Sequence, residues 1–473
     1  MLEELIAERL KKLSKIKTAG LNAYPARVKR SARIGDVLAK FDALSRAKKK
    51  VSLAGRVMSM RDQGGVVFAD VRDESGQIQV VLKKDNLDSF DFLKEVLDRG
   101  DFISIGGQLF ITKKGEKSVE AKEAKLVVKS LRPLPAEWYG LEETETRLRQ
   151  RYLDLLLNPG IRDMFRRKAL FWNAFRTYLR KLGFLEVEMP ALEAIPGGAE
   201  AEPFQTHHNA LDTDFYLRIS LELPLKKLLV GGYESVFEIG RVFRNEGIDR
   251  EHLQDYNQLE FYWAYHDYND LMELIEKMYK YVVKEITGGL NTSLDGKKIN
   301  WGKKWPRIDY VEIFKKENGI DPLAVSRDEL FRLAERLNLS PEGNMGKGRL
   351  IDLIYKKTVR PKLIQPCFLI HHPKLVSPLA KAKADNPNLT ERIQVLVGGT
   401  ELGNGWSELN DPLDQRARFE EQVRLRAEGD TEAMMLDEDF LTALEYGMPP
   451  AAGFGLSERF FAILMDKPIR ETV

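Results

Sequence analysis

The chain has 473 residues, of which 43% are hydrophobic and 31% charged, with a formal net charge of +2. That length exceeds one ordinary core and implies two or more domains, and the composition suits a folded soluble protein with no run of about 18 apolar residues for a transmembrane helix. The single cysteine, Cys367, excludes an internal disulfide and points to a reducing cytoplasm, while Met1-Leu2-Glu3-Glu4-Leu5 lacks the basic and apolar regions of a secretory signal.

In chain order, residues 2–18 read as an amphipathic helix with Leu2, Leu5, Ile6, Leu10 and Leu13 on one face. Residues 1–50 carry 14 Lys and Arg against 5 Asp and Glu, a basic segment that suits a polyanionic partner. The period then changes to that of strands at 51–60, 66–71 and 78–82, separated by Asp62-Gln63-Gly64-Gly65 and Asp73-Glu74-Ser75-Gly76. A short helix at 89–97 and strands at 102–111 and 118–128 follow. Three strands, a helix and two strands is the order of an OB-fold barrel, which binds oligonucleotides.

Leu131-Arg132-Pro133-Leu134-Pro135 reads as a stiff linker. The expected division is 1–130 for the helix and barrel, 131–150 for the linker and 151–473 for a large α+β domain with a mainly helical insertion about 310–365. In that domain 162–182 reads as a long helix carrying Phe165, Leu170, Trp172, Phe175, Leu179 and Leu182. Residues 231–265 read as two strands around a polar loop, 392–409 as a strand, and 451–465 as a glycine-rich strand leading into a helix.

The chemistry centres on Arg244-Asn245-Glu246 at the end of the first of those two strands. Arg244 and Glu246 share a face, and the loop beyond holds Asp249, Arg250, Glu251 and His252. On the return strand Tyr256, Gln258, Glu260 and Tyr262 share one face, while Leu259, Phe261, Trp263 and Tyr265 share the other. The first row is polar within an apolar strand, so a ligand or an internal hydrogen-bond network must satisfy it. A second polar cluster is Glu401 to Glu408, where Asn404 and Glu408 would share a face of a helical turn. Gly453-Phe454-Gly455 allows close backbone approach, and Arg459 beyond it can meet a phosphate. Gly343 to Gly348 lacks the spacing of a phosphate loop, and the paired histidines 207–208 and 371–372 lack the cysteines of a zinc site.

These segments together resemble the class II aminoacyl-tRNA synthetases, and within them the lysyl-tRNA synthetases. The long helix with Leu185 to Pro190 looks like the first class motif, Phe243 to Glu260 like the second, and the segment ending at Arg459 like the third. Ile195-Pro196-Gly197-Gly198-Ala199, Thr206 to Leu211, Leu228 to Gly232 and Gly403 to Asp411 are similar to the lysyl family, so the resemblance covers nearly the whole chain.

The resemblance implies an antiparallel catalytic sheet flanked by helices, an anticodon-binding barrel, a homodimer and a magnesium-dependent reaction of ATP, L-lysine and tRNA(Lys). It assigns Arg244 to the α-phosphate and the lysine carboxylate, Glu246 to adenine and His252 to the terminal phosphates. Tyr256 would stack on adenine opposite Arg459, and Glu401 would bind magnesium. Glu222 would receive the α-amino group, and Glu260, Tyr262, Asn404 and Glu408 the side-chain ammonium, a compact cation with three donors. Phe68, Gln79 and Glu123 would read the anticodon.

Three features depart from the family. Gln394 replaces a second metal-binding glutamate, which should weaken metal binding. Ser457-Glu458-Arg459 is one residue short, which on a strand would flip the side chains beyond it unless a turn or bulge absorbs the change. The chain stops at Val473, where the family continues into a short tail, and so reads as truncated. Two alternatives follow: a catalytically weakened, synthetase-like RNA-binding or regulatory protein, and an enzyme that lysylates another acceptor.

Overall fold

The computed structural model describes residues 2–135, 143–247, 252–343, 345–429 and 433–473. Of the loop residues expected beside the phosphate site, Asp249, Arg250 and Glu251 lie outside this set, as does Asn344 of the rejected phosphate loop. The chain divides into two compact units, Met1–Thr144 and Glu145–Val473.

The first unit is a closed barrel of β1 (Lys50–Asp62), β2 (Val66–Arg72), β3 (Gln77–Lys83), β4 (Phe102–Ile111) and β5 (Lys117–Val128), in the order β1-β2-β3-β5-β4. Alternation builds it: Val67, Ala69 and Val71 of β2 point inward with Leu53, Val80, Ile103, Ile105 and Val119. Helix α1 (Leu2–Thr18) forms as its periodicity predicts, but it buries Arg9, Leu13 and Ile16 and leaves Leu2, Leu5 and Leu10 about half exposed. Arg9 stands four residues from both Leu5 and Leu13 and shares their face, so that face packs only from Arg9 onward, where the guanidinium donates to the carbonyls of Ser130 and Arg99, each at 2.9 Å. Short helices Ile34–Ala39 and Phe41–Arg46, too brief for a periodic signal, precede the barrel.

The second unit is built on an eight-stranded mixed sheet. Its strands are β6 (Leu185–Glu186), β7 (Ser235–Phe243), β8 (Asp255–Ala264), β9 (Arg307–Asp309), β10 (Cys367–Ile370), β11 (Arg392–Val397), β12 (Thr400–Ser407) and β13 (Ala451–Ser457). They lie in the order β9-β10-β11-β12-β13-β8-β7-β6, antiparallel except at the two edges. The single strand expected over 392–409 is the hairpin β11–β12, because Gly398 and Gly399 both take positive φ (62° and 76°) and reverse the chain.

One face of the sheet carries α2 (Pro159–Lys181) and α3 (Tyr268–Thr287) over an aromatic core that includes Phe171, Phe175, Tyr279, Phe261, Phe454 and Phe460. Proline at the first position starts α2, and an Asp267–Asp270 capping box starts α3. On α2 the buried stripe runs through Phe171, Phe175 and Leu179, whereas Leu170 and Leu182, expected on the apolar face, are more than half exposed. Tyr265, expected to join the core face of β8, leaves the strand with a positive φ of 64° and is exposed. The other face of the sheet is open at its centre and flanked by α4 (Glu222–Val230), whose Leu223, Leu225 and Leu229 pack with Tyr262 and Phe440.

In the barrel unit, buried Lys129 donates to Asp98 (2.5 Å), Asp101 (2.7 Å) and the Val96 carbonyl (2.6 Å). Removing one partner of such a set strands the other charges. Lys129→Met should therefore destabilise the barrel by about 3–5 kcal/mol, read as an earlier urea transition with lost amide-exchange protection in β4 and β5.

Candidate active site

The period of β8 sets the site. Leu259 and Phe261 enter the core, so Tyr256, Gln258, Glu260 and Tyr262 turn to the open face. They line a cleft of about 260 Å³ together with Glu222, Arg244, Glu401, Asn404, Glu408 and Arg459. Nine of the residues expected to bind ATP or the amino acid thus meet in one cavity. Glu246 and His252 are half-buried outside its lining, although the charge of Glu246 reaches Tyr256. Asn404 stands on β12 with Glu408 just beyond its end, so strand alternation puts the two on one side, in place of the expected helical turn.

One end of the cleft is acidic. Glu222, Glu260 and Glu408 are all buried. Glu260 is fully engaged: Oε1 accepts from Ser220 Oγ (2.7 Å), Leu221 N (2.9 Å) and Gln258 Nε2 (2.8 Å), and Oε2 accepts from Tyr262 Oη (2.8 Å). Glu408 Oε2 accepts from Trp406 Nε1 (2.9 Å) and Lys226 Nζ (2.5 Å). Its Oε1 finds no hydrogen-bond donor among the described residues. Lys226 also bonds to Glu222. Burial pushes the carboxyls of Glu222 and Glu408 above the usual range, against the pull of Lys226. Burial raises the Tyr262 hydroxyl well above its ordinary value, with Glu222 and Glu260 adding to the shift, so it stays a protonated donor.

The other end is cationic. Arg244 donates from Nε to the Ile219 carbonyl (3.1 Å), and its guanidinium lies 5.7 Å from the centre of the Tyr256 ring. Arg459 opens a helix directly after β13 and reaches the Glu401 carbonyl at 3.4 Å. The missing residue before it is absorbed by this strand-to-helix turn. Ser457 still pairs with Gln258, and buried Glu458 accepts from Asn257 N (3.0 Å) and Lys168 Nζ (2.6 Å). Gln394 on β11 donates to Glu401 Oε2 (2.9 Å), so an amide stands beside the single carboxylate.

In the barrel, Phe68 is half-buried on the outward face of β2, and Gln79 lies on the same face of the adjoining β3. Gln79 is buried and its Oε1 accepts from Ser118 Oγ (3.1 Å). Glu123 is exposed further along β5, opposite Gly106.

Residues 143–473 match the family described as tRNA synthetases class II (D, K and N), and residues 51–129 match the OB-fold nucleic acid binding domain. The chain belongs to the class II tRNA synthetases. Among its curated relatives, the lysine–tRNA ligase of Moorella thermoacetica is 44% identical, over 99% of this chain and 96% of the relative. That of Roseiflexus castenholzii is 44% identical over 100% and 98%, and that of Halalkalibacterium halodurans 43% over 99% and 95%.

Within this synthetase the sequence pointed to Gln258 on the polar face of its strand without giving it a role, and Lys226 was missed; both contact the acidic residues. Lys226 is four residues from Glu222, and that spacing ordinarily marks a surface ion pair. The signal was its setting, a helix that is otherwise mostly leucine. Gly453 is the other unassigned participant: a Cβ there would stand 2.3 Å from both Glu408 Oε1 and Tyr262 Cε1. Gly453→Ala should overpack the acidic end by about 1–3 kcal/mol. The expected outcome is a raised amino-acid KM in ATP–pyrophosphate exchange, with an unchanged far-UV circular dichroism spectrum.

Proposed function

We infer that this protein is a lysine–tRNA ligase that activates L-lysine with ATP and transfers it to the 3′ end of tRNA(Lys). The polarity of the cleft carries this reading: Arg244 and Arg459 stand at one end, and Glu222, Glu260 and Glu408 are buried at the other. A dicationic amino acid with a carboxylate fits such a gradient. An acidic or neutral side chain would leave one of the three carboxylates uncompensated, since Lys226 and the α-amino group supply two cations. The lysine carboxylate attacks the α-phosphorus and pyrophosphate leaves. The terminal ribose hydroxyl then attacks the acyl carbon, AMP leaves, and no covalent enzyme intermediate forms. Catalysis is positioning and charge stabilisation.

On this reading Arg244 holds the α-phosphate and lysine carboxylate, and Tyr256 and Arg459 sandwich adenine, with Glu246 at its edge and His252 on the terminal phosphates. Glu222 receives the α-amino group, and Glu408, Tyr262, Glu260 and Asn404 enclose the side-chain ammonium. The open Oε1 of Glu408 supports that role. Mg²⁺ would be held by Glu401; Gln394 turns its amide nitrogen to that carboxylate, while its Oε1 accepts from Tyr355 Oη at 3.3 Å. A hard-oxygen set this small suits an ion that keeps waters and takes ATP phosphates as its other ligands. When bound, the ion neutralises phosphate charge.

Phe68, Gln79 and Glu123 form the anticodon reader, Phe68 by stacking a base from the outward face of its strand. The exposed Leu170, Leu182 and Leu185 support a homodimer through the α2 face. Among the described residues no helix is long and apolar enough to cross a membrane, and we place the enzyme in the cytoplasm. Full-length relatives that share one printed activity weigh against the two alternatives.

Lysine-dependent ATP–pyrophosphate exchange tests the reading; no exchange alongside retained tRNA binding would sink it. Phe68→Ala should weaken aminoacylation of tRNA(Lys) by about 1–3 kcal/mol, the worth of one stacked base, while leaving the exchange reaction alone. Gln394→Glu adds a charged ligand beside Glu401, so the Mg²⁺ concentration for half-maximal exchange should fall.

A further inference from the structure

Helix α4, whose other residues are apolar except Lys227, which pairs with Asp439, carries Glu222 and Lys226 on one face. Exposed pairs at this spacing contribute little. This one is different, because the Lys226 side chain is wholly buried. Its ammonium lies 5.9 Å from the ring centres of Tyr262, Trp406 and Phe440 and bonds to both Glu222 Oε1 and Glu408 Oε2. Glu260 and Tyr262 on β8 are the other titratable groups acting on this set.

We propose that Lys226 is a positioning residue for the amino-acid pocket: its ammonium, shared by Glu222 and Glu408, fixes the separation of these carboxylates and hence the length of the cationic side chain that fits. The inference rests on the lysine reading of the same cleft. Two observations carry it. First, Lys226 and Trp406 together occupy Oε2 of Glu408, and Oε1 stays buried without a donor among the described residues. The carboxylate is thus anchored by one oxygen and presents the other. Second, the charges close. Among the described residues three buried carboxylates line this end, and the Lys226 ammonium bonds to two of them, Glu222 and Glu408. A lysine ligand adds two ammonium groups and brings its own carboxylate towards Arg244. A substrate with a neutral side chain leaves one carboxylate uncompensated, and burial makes that costly. One ammonium holds both the α-amino acceptor and the side-chain acceptor, so neither can shift to suit a shorter chain.

The test uses the full chain as wild type, Lys226→Met and Lys226→Arg. ATP–pyrophosphate exchange is measured with L-lysine and with L-ornithine, one methylene shorter, across the pH range in which the enzyme is stable. The wild type should favour lysine by roughly 10- to 200-fold, the discrimination one methylene supports in a fitted pocket. In Lys226→Met the lysine KM should rise on the order of tenfold or more, equivalent to one lost interaction of about 1.4 kcal/mol, with the ATP KM unmoved. Its preference over ornithine should collapse. Without the ammonium both carboxyls lose the partner that draws them down, so the acid limb of kcat/KM for lysine should move to higher pH. Lys226→Arg keeps the charge with a broader head, so it should retain the acid limb and lose discrimination. Wild-type discrimination and an unmoved acid limb in Lys226→Met would overturn the proposal, as would a loss in kcat with both KM values unchanged. If Lys226→Met does not fold, full discrimination in Lys226→Arg overturns it. A wild type without lysine-dependent exchange refutes the ligase reading itself, and this inference with it.

Discussion

The catalytic unit depends on one strand that is buried on both faces. Leu259 and Phe261 of β8 are sealed in the aromatic core, and Glu260 and Tyr262, between and beside them, are equally buried in the cleft. A slip of one residue would drive the Glu260 carboxylate among phenylalanines, which no hydrogen bond there could offset. Both neighbours hold the register. Glu260 lies opposite Glu238 on β7 and Gly455 on β13. The facing glutamate is tolerable because Arg218 reaches Glu238 at 2.7 Å and Met189 N donates to it at 3.0 Å. Gly455 leaves room, since a Cβ there would come within 3.3 Å of Glu260 Cγ.

The same register explains why a shortened third motif still delivers its arginine. Pairing of β13 with β8 runs to Ser457 against Gln258 and then stops. The chain turns at Glu458, and the next residue already belongs to a helix. The flip that a deletion imposes on a continuing strand therefore never arises. Glu458 is fully buried and takes donors from β8 and from Lys168 of α2, so the turn is clamped from two sides. A buried acid at this position has a structural task, which separates it from the acids of the cleft.

Much of this was legible in sequence because it follows from period. The five barrel strands, the alternation of β8 and the helical insertion all show the spacing that burial imposes. What the sequence concealed depends on partners distant along the chain. The leucine face of α1 is real, but it is buried only from Arg9 onward, where that residue finds carbonyls of Arg99 and Ser130. The hairpin at Gly398-Gly399 carried a turn signal in its glycine pair and in the polar Thr400-Glu401 beyond, which the reading of one strand over 392–409 passed through. In the site, single residues such as Glu260 and Glu408 were identifiable from the family resemblance. Their inequality was not. Four donors saturate Glu260, whereas Glu408 keeps one oxygen without a donor among the described residues, and that difference arises from Ser220, Gln258, Trp406 and Lys226 converging in space.

The spacing between the two ends of the cleft is set by three consecutive residues. Ile219 accepts from Arg244 through its carbonyl, while Ser220 Oγ and Leu221 N both donate to Glu260. The next residue is Glu222, which opens α4, and Lys226 follows one turn on. A single segment thus contacts the Arg244 guanidinium through its first residue and the Glu260 carboxylate through the next two, and carries Glu222 directly after them. Adenylation requires a carboxylate oxygen and a phosphorus atom to be held within bonding approach, and misplacement by about 1 Å costs on the order of a hundredfold in rate. Three adjacent residues whose carbonyl, hydroxyl and amide hold both ends meet that tolerance better than long side chains reaching from separate loops. On the lysine reading of this cleft, selection of the amino acid and alignment of the reaction would be one event: a side chain that failed to seat its ammonium against Glu408 would leave its carboxylate short of Arg244.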